Sequence, residues 1–432
     1  MKHLRPAGLA LFACVLGGAP DASAQNVLTR GKTVDQPPPV LTADPVLAGT
    51  VMRYALTDAL RIGHERHPSI HALRSSMEAS QQKMKGLSEV QLMSLGLASD
   101  LKVRKQQLEL GMQAAAAEMA QAQHDVTYAV IRCYYTVIYA REQNKVAKDL
   151  VDQLETYLEQ VRKIVNSKGG GIKGVNKDTE DKLVIVIGEA KNRMLDAESG
   201  VMRAKAALRE AMGLAPDVEV DAADETLPDV KAEFDKKTIV GHALTRRGEI
   251  QLANIGAQVT QLEVVAQWSR RLSLQADTFA SGGDIHSRQV PVASREPDYR
   301  PGAIPPEMPS KVAGHRNTRA AIVQKFYERS EKVAEQARNL VALEAEVGYA
   351  EYADATKKVA VSKEASVAGK SLTERQREAA GGNLTKEDIL MNEVSAARSF
   401  GAYNLALYDQ IIALANLERI TAGGVRVNFP GR

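Results

Sequence analysis

Three patterns in this sequence have residue types and spacing that chemistry can use. His64, His67 and His71 stand three and four residues apart. On a helix that spacing puts three imidazoles on one face, as a metal site requires. Pro68 interrupts the helix inside the cluster, and Glu65 is the only obvious carboxylate partner, so the pattern reads as exposed histidines near a helix start. "GGGIKG" (Gly169–Gly174) satisfies the Gly-x-Gly-x-x-Gly string of a dinucleotide site. That motif works only between a strand and a helix, and a helical stretch precedes it here. Cys133 lies on an apolar helical face, where a lone thiol reads as a small buried residue. There is no nucleophile–base arrangement and no zinc-protease or phosphate-loop signature. The sequence therefore predicts no enzyme, no cofactor and no resident metal.

The more informative glycines are the ones that break helices. In "AAGGNLTKEDILMNEVSAA" (Ala379–Ala397) strong helix formers flank Gly381 and Gly382. These glycines end one helix in the left-handed conformation. Thr385 is placed to cap the next helix, with Asp388 three residues on as in a capping box. Glu387 and Asp388 also suit a helix N-terminus electrostatically. The earlier stretch "GGGIKGVNKDTEDKLVIVIGEA" (Gly169–Ala190) does the same: Gly169 to Gly174 end a helix, and Asp178, Glu180 and Asp181 open another. Both read as tips of helical hairpins.

These tips need long helices to carry them, and the composition supplies them. Ala, Leu, Val, Glu, Lys, Arg and Gln dominate the 432 residues, with 4% aromatics. Lys and Arg number 56 against 53 Asp and Glu, which lacks the concentrated basic surface that nucleic acid wants. The Arg-rich stretches read as solvated helix faces. Residues 1–24 resemble a secretory leader: Lys2 and Arg5, an apolar core from Ala7 to Val15, then Ala22-Ser23-Ala24 before a cut at Gln25. The alternative is acylation of Cys14 by the lipoprotein route. Pro37-Pro38-Pro39 and Pro45 make residues 25–50 an extended lead-in. No later segment has the roughly 18 consecutive apolar residues of a membrane-spanning helix.

From Val126 the chain reads in sevens: Val126, Ala129, Cys133, Thr136, Ala140, Gln143, Ala147, Leu150, Leu154, Tyr157, Val161 and Ile164. A seven-residue period implies a coiled-coil helix, expected over Gln107–Asn166. A return helix is expected over Thr179–Met212, ended by Gly213 and Pro216. A turn-rich connector follows, with a short strand at Val218–Val220. Then the pattern restarts. "RHPSIHALRSSMEAS" (Arg66–Ser80) aligns with "RRGEIQLANIGAQVT" (Arg246–Thr260), pairing Pro68 with Gly248 and Ile70 with Ile250. Tyr135 falls on Tyr349 and Leu208 on Leu417, and the last helix carries Phe400, Tyr403, Leu407, Leu414 and Leu417 on one stripe. The reading is an internal duplication. Residues 51–226 form the first helical repeat with its tip at 169–178. Residues 227–424 form the second, with an irregular Pro-rich insert at 281–319 and its tip at 380–385, before a tail at 425–432. The fold class is mainly α, as long antiparallel coiled-coil hairpins in two tandem repeats with little β.

The repeat starts, the "ALREAMGLAPD" end of the first repeat and the "GNLTKEDIL" tip resemble the TolC-like outer-membrane efflux channels. The resemblance covers most of residues 51–424. Its most specific part is a Gly-x-x-Thr-x-x-Asp-x-Leu string, here Gly382, Thr385, Asp388 and Leu390; the first copy keeps Gly174, Asp181 and Leu183 at shifted spacing. The resemblance implies a homotrimer closing a tunnel in the outer membrane. It also implies partners: a periplasmic adaptor and an inner-membrane pump. The adaptor contacts would be Gly382, Leu384, Thr385 and Asp388, with Gly174 and Asp181 in the first tip. The same residues also have local reasons to be there as helix caps. Members of that family carry a β-hairpin in each repeat. Here Met84–Gln107 reads as helix, bend and helix. Leu272–Ala280 alternates as a strand should, but six prolines follow within 287–319. Trp268, Phe279 and Tyr299 are the only candidates for interface aromatics. A reduced or absent membrane barrel is therefore expected, and a periplasmic scaffold without a pore is the alternative reading.

Overall fold

Two helices, α3 (Leu101–Val165) and α7 (Arg316–Glu378), are 65 and 63 residues long. At 1.5 Å per residue each is just under about 100 Å from end to end. They belong to a computed structural model that describes residues 51–93, 100–166, 177–271, 274–278, 308–378 and 386–432. The leader and lead-in, the glycines at 169–174, the Gly381-Gly382 break and most of the Pro-rich insert lie outside the described residues.

The first half runs α1 (Leu56–Arg66), α2 (Pro68–Met93), α3 and α4 (Lys177–Ala211); the second runs α5 (Lys236–Arg246), α6 (Gly248–Ser269), α7 and α8 (Lys386–Ile420). Their lengths are 11, 26, 65 and 35 residues, then 11, 22, 63 and 35. In each half the two leading helices are separated by a single extended residue. His67 has φ −63 and ψ 126, and Arg247 has φ −61 and ψ 130. The residues that follow explain the break differently. Pro68 has no N–H and pushes its predecessor out of the helical region. Gly248 is there because α3 passes beside it: an added Cβ would stand 2.7 Å from the Ala117 carbonyl oxygen.

Helix α3 has different neighbours along its length. Toward its start it packs on α2 and α6; toward its end it packs on α4 and α8. The main core lies where these sets meet. It is built from Val130, Ile131, Tyr134, Tyr135, Val137 and Ile138 of α3, Leu208 of α4 and Ile411, Leu414 and Leu417 of α8. The short strands β1 (Met52–Tyr54) and β2 (Val220–Ala222) pair in parallel beside it. Phe429 of the tail closes on Tyr135, with ring centroids 5.6 Å apart.

Several expectations shift in detail. Helix α3 starts at Leu101, earlier than Gln107, and α4 runs from Lys177 to Ala211 with Gly213 beyond it at φ 65. The connector strand is Val220–Ala222, because it pairs with β1. Of the heptad seam, Val126, Leu154 and Val161 are buried and the others only half-buried. Residues 130–138 bury two faces, since α3 is flanked there on more than one side. The three-four spacing returns only at Val151, Leu154, Leu158 and Val161. Within the segment read as irregular, β4 (Lys311–Ala313) pairs antiparallel with β3 (Gln275–Asp277), and α7 has begun by Arg316. Among the described residues no strand exceeds three residues and no closed barrel is present. No described helix is long and apolar enough to cross a membrane.

Candidate functional site

The predicted contact residues belong to the hairpin tips. Gly174, Gly382, Leu384 and Thr385 lie outside the described residues. Asp181 is exposed in the first two turns of α4, and Asp388 is the third residue of α8. The flank of the first tip is well defined. Val151, Leu154, Leu158 and Val161 of α3 meet Leu183, Ile187 and Ala190 of α4. The Arg162 Nε donates to Glu180 at 2.9 Å across the pair. Glu180, not Asp181, makes that tie. Val394 of α8 packs against the same cluster, so the second hairpin lies alongside the first.

The two outer helices of this pair of hairpins have apolar residues facing away from their partners. On α4, Leu183, Ile187, Ala204 and Leu208 point to α3, while Ile185, Leu195 and Met202 are exposed. On α7, Val361 and Val367 are exposed.

The opposite end of α3 is polar inside. Arg104 forms an ion pair with Glu263 of α6, and its Nε also donates to Asp100 at 3.3 Å. Gln107 donates to Glu263 at 3.0 Å and to the Val259 carbonyl at 3.1 Å. From α7, Arg319 donates to Gln267 Oε1 at 3.0 Å, to the Gly314 carbonyl at 2.8 Å and to the Arg270 carbonyl at 2.6 Å. Arg270 in turn donates to Asp100 at 2.8 Å. Gln107, Glu263, Gln267 and Arg319 have no exposed surface at all. A buried charge is tolerated only when it is paired or fully hydrogen-bonded; Glu263 is paired with Arg104, and Arg319 is satisfied by Gln267 and backbone carbonyls. The cluster pins the starts of α3 and α7 to the end of α6 and to β3.

A second buried network sits at the α5–α6 break. Arg247 pairs with Glu249 at 2.6 Å and with Glu344 of α7 at 2.9 Å, and Arg419 of α8 reaches Glu344 at 2.6 Å. Burial pushes the Glu249 carboxyl up, but the bond and charge of Arg247 outweigh it and the net shift is downward. Both networks correct the reading of the arginines as solvated faces for Arg247 and Arg319, while Arg61, Arg162, Arg246 and Arg271 are exposed as expected. Arg247 and Arg319 are among the most buried large side chains. Residue type alone does not separate a buried arginine from a surface one; Glu344, which pairs with Arg247, and Gln267, which binds Arg319, come from other helices.

The three histidines do not converge on one point. His64 bonds to Thr127 Oγ1 at 2.8 Å, His67 to Ser69 at 2.7 Å and His71 to the Glu65 carbonyl at 2.8 Å. No metal-holding group of side chains is found among the described residues. Cys133 packs against the main core, and burial pushes its thiol up to about 11, far from the thiolate form that reactivity requires.

No family model matches this sequence, and no curated protein matches it. The solved structures do. The open-state MtrE outer membrane channel of Neisseria gonorrhoeae aligns with a TM-score of 0.64 at 15% identity, over 86% of this chain and 89% of that one. The outer-membrane channel OprN gives 0.64 at 12%, over 86% and 90%. The outer membrane protein VceC of Vibrio cholerae gives 0.59 at 12%, over 85% and 96%. This chain has the mainly α TolC-like fold of outer-membrane efflux channels.

Proposed function

We propose that this chain is the outer-membrane channel component of a tripartite efflux or export system: a passive, non-enzymatic duct. It works as a homotrimer extending into the periplasm. Its hairpin tips engage a periplasmic adaptor, and through it an inner-membrane pump. Gly382, Leu384, Thr385 and Asp388 are the principal adaptor contacts, with Gly174 and Asp181 in the first tip. The recurring order of helix lengths supports an internal duplication, so that each protomer supplies two equivalent hairpins to the wall.

One observation carries this reading. Two long hairpins stand side by side with exposed apolar residues on both outer helices, α4 and α7. A second copy setting its α4 edge against the first copy's α7 edge covers both, and such head-to-tail contacts close into rings. The TolC-like fold supports that arrangement. The test is fractionation with conductance. A heat-labile trimer in the outer-membrane fraction that opens ion-conducting pores in a planar bilayer is expected. Leu384→Asp should abolish adaptor capture and leave the trimer intact. A soluble monomer or dimer without conductance supports the second reading, a periplasmic coiled-coil scaffold. Among the described residues β3 and β4 are three residues each, against roughly 9–11 for a membrane strand, and this motivates that alternative.

A further inference from the structure

The chain's single tryptophan sits at the polar end of the bundle. Trp268 is in the last turn of α6 and 49% exposed, and Leu274, just before β3, is 76% exposed. The guanidinium of Arg316, the first residue of α7, lies over the indole at 4.8 Å. Lys102 at the start of α3, Arg271 after α6 and Lys311 in β4 are exposed nearby. Backbone bonds hold these pieces together: Gly314 N–H donates to the Leu274 carbonyl at 2.8 Å, and β3 pairs with β4. Among the described residues the local acids do not balance this charge. Asp100 is already bound by Arg104 and Arg270, and Glu263 is buried against Arg104. Asp277 is the one exposed carboxylate in β3 and β4.

We infer that this end docks on an anionic bilayer surface through Trp268 and Leu274, with Lys102, Arg271, Lys311 and Arg316 against lipid phosphates. Tryptophan is favoured at the headgroup level because one part of its ring system is apolar and its N–H is polar. Clustered Lys and Arg are drawn to anionic headgroups. The buried cluster beneath, with Arg319 bonded to three backbone or side-chain oxygens, fixes the surface before any lipid arrives. The occupant is a membrane because an exposed indole and an exposed leucine flanked by unbalanced cations match lipid headgroups above an apolar layer. An acidic protein would need only the cations. The inference rests on the channel reading only in setting this end, opposite the tips, toward the membrane. It goes further in assigning lipid contact to the helical end itself, outside any barrel.

Because Trp268 is the only tryptophan, its fluorescence reports this surface alone. The full chain is mixed with phosphatidylcholine vesicles with and without phosphatidylglycerol. A blue shift and protection from acrylamide are expected only with phosphatidylglycerol, and salt should reverse both. The double variant Arg271→Glu, Lys311→Glu leaves the indole's neighbour Arg316 in place. At about fivefold per basic residue, it should weaken vesicle binding at least roughly 25-fold, with helical circular dichroism unchanged. An unmoved spectrum overturns the inference, even if the protein sediments with vesicles. So does an equal shift with neutral vesicles, or one that survives the double variant. A chain that conducts in bilayers without the Trp268 response refutes this surface and leaves the channel reading standing. A chain that gives the response without conducting supports the surface and counts against the channel.

Discussion

The two ends of α3 are held by opposite means. Toward the tip, Val151, Leu154, Leu158 and Val161 interleave with Leu183, Ile187 and Ala190, and the charges stay outside as surface pairs such as Arg162–Glu180 and Lys191–Glu155. At the other end, Arg104, Gln107 and Asp100 are inside, locked to Glu263, Gln267, Arg270 and Arg319. An apolar seam tolerates small slides, because its attraction is non-directional. A buried ion cluster does not, because each displaced charge loses partners that water is not there to replace. The contrast fits the proposed roles. The tip end needs a continuous rod that presents a tip; the junction end needs several helix starts fixed in one geometry, where the chain leaves the bundle for the β3–β4 segment.

The largest expected effect is at the junction. Arg319→Ala strands Gln267 Oε1 and the carbonyls of Gly314, Gln267 and Arg270 without their donor, and at about 1–3 kcal/mol for each stranded group should cost several kcal/mol. A lowered midpoint in urea unfolding, with hydrogen exchange accelerated at the end of α6 and the start of α7, is the expected result. An unchanged midpoint removes the junction as a lock.

Next comes the seam. Leu154 has no exposed surface, so Leu154→Ala should cost about 2–5 kcal/mol, with exchange accelerated in α3 and α4 and not at the junction. If both variants loosen the same segments, the two ends are one cooperative unit and the contrast fails.

The middle of α3 adds a smaller, acid-dependent term. His64 and His124 are lowered from 6.5, first by burial and then by neighbours that include Arg432 for His64 and Arg247 for His124, against Glu418, which raises His124. Folded histidines with lowered values bind fewer protons than the unfolded chain. Stability therefore falls as pH drops through 6.5 toward the folded values. Replacing both with Gln should flatten the melting temperature across that window; an unaltered profile assigns the acid sensitivity elsewhere.

Smallest is the surface pair beside the tip. The Arg162 side chain is half exposed, and Arg162→Ala should cost about 0.2–1 kcal/mol, seen as a marginal shift in the same unfolding curve. A loss as large as that of Leu154→Ala makes the tip flank electrostatic and erases the difference between the ends.

The long helices, the breaks between them and the recurring order were legible because they are local. Heptad spacing, Gly213 after α4 and Pro68 at the α1–α2 break all act within a few residues of themselves. The tip end of α3 was legible for the same reason: Leu154 and Val161 lie on the spacing that the sequence displays. The mid-helix stretch was not, because a helix with neighbours on several sides buries residues such as Ile131 and Tyr135 that a single seam leaves out.

By itself, the sequence determined where helices start, stop and turn, since capping, glycine conformations and helical periodicity are short-range. Only the tertiary structure decided which arginines are inside. Arg247 and Arg319 look like any surface arginine until Glu344, or Gln267 and the Arg270 carbonyl, are brought against them. It also decided why residue 248 is glycine and why Trp268 stands among cations. Each depends on groups distant in the chain that only packing brings within bonding range.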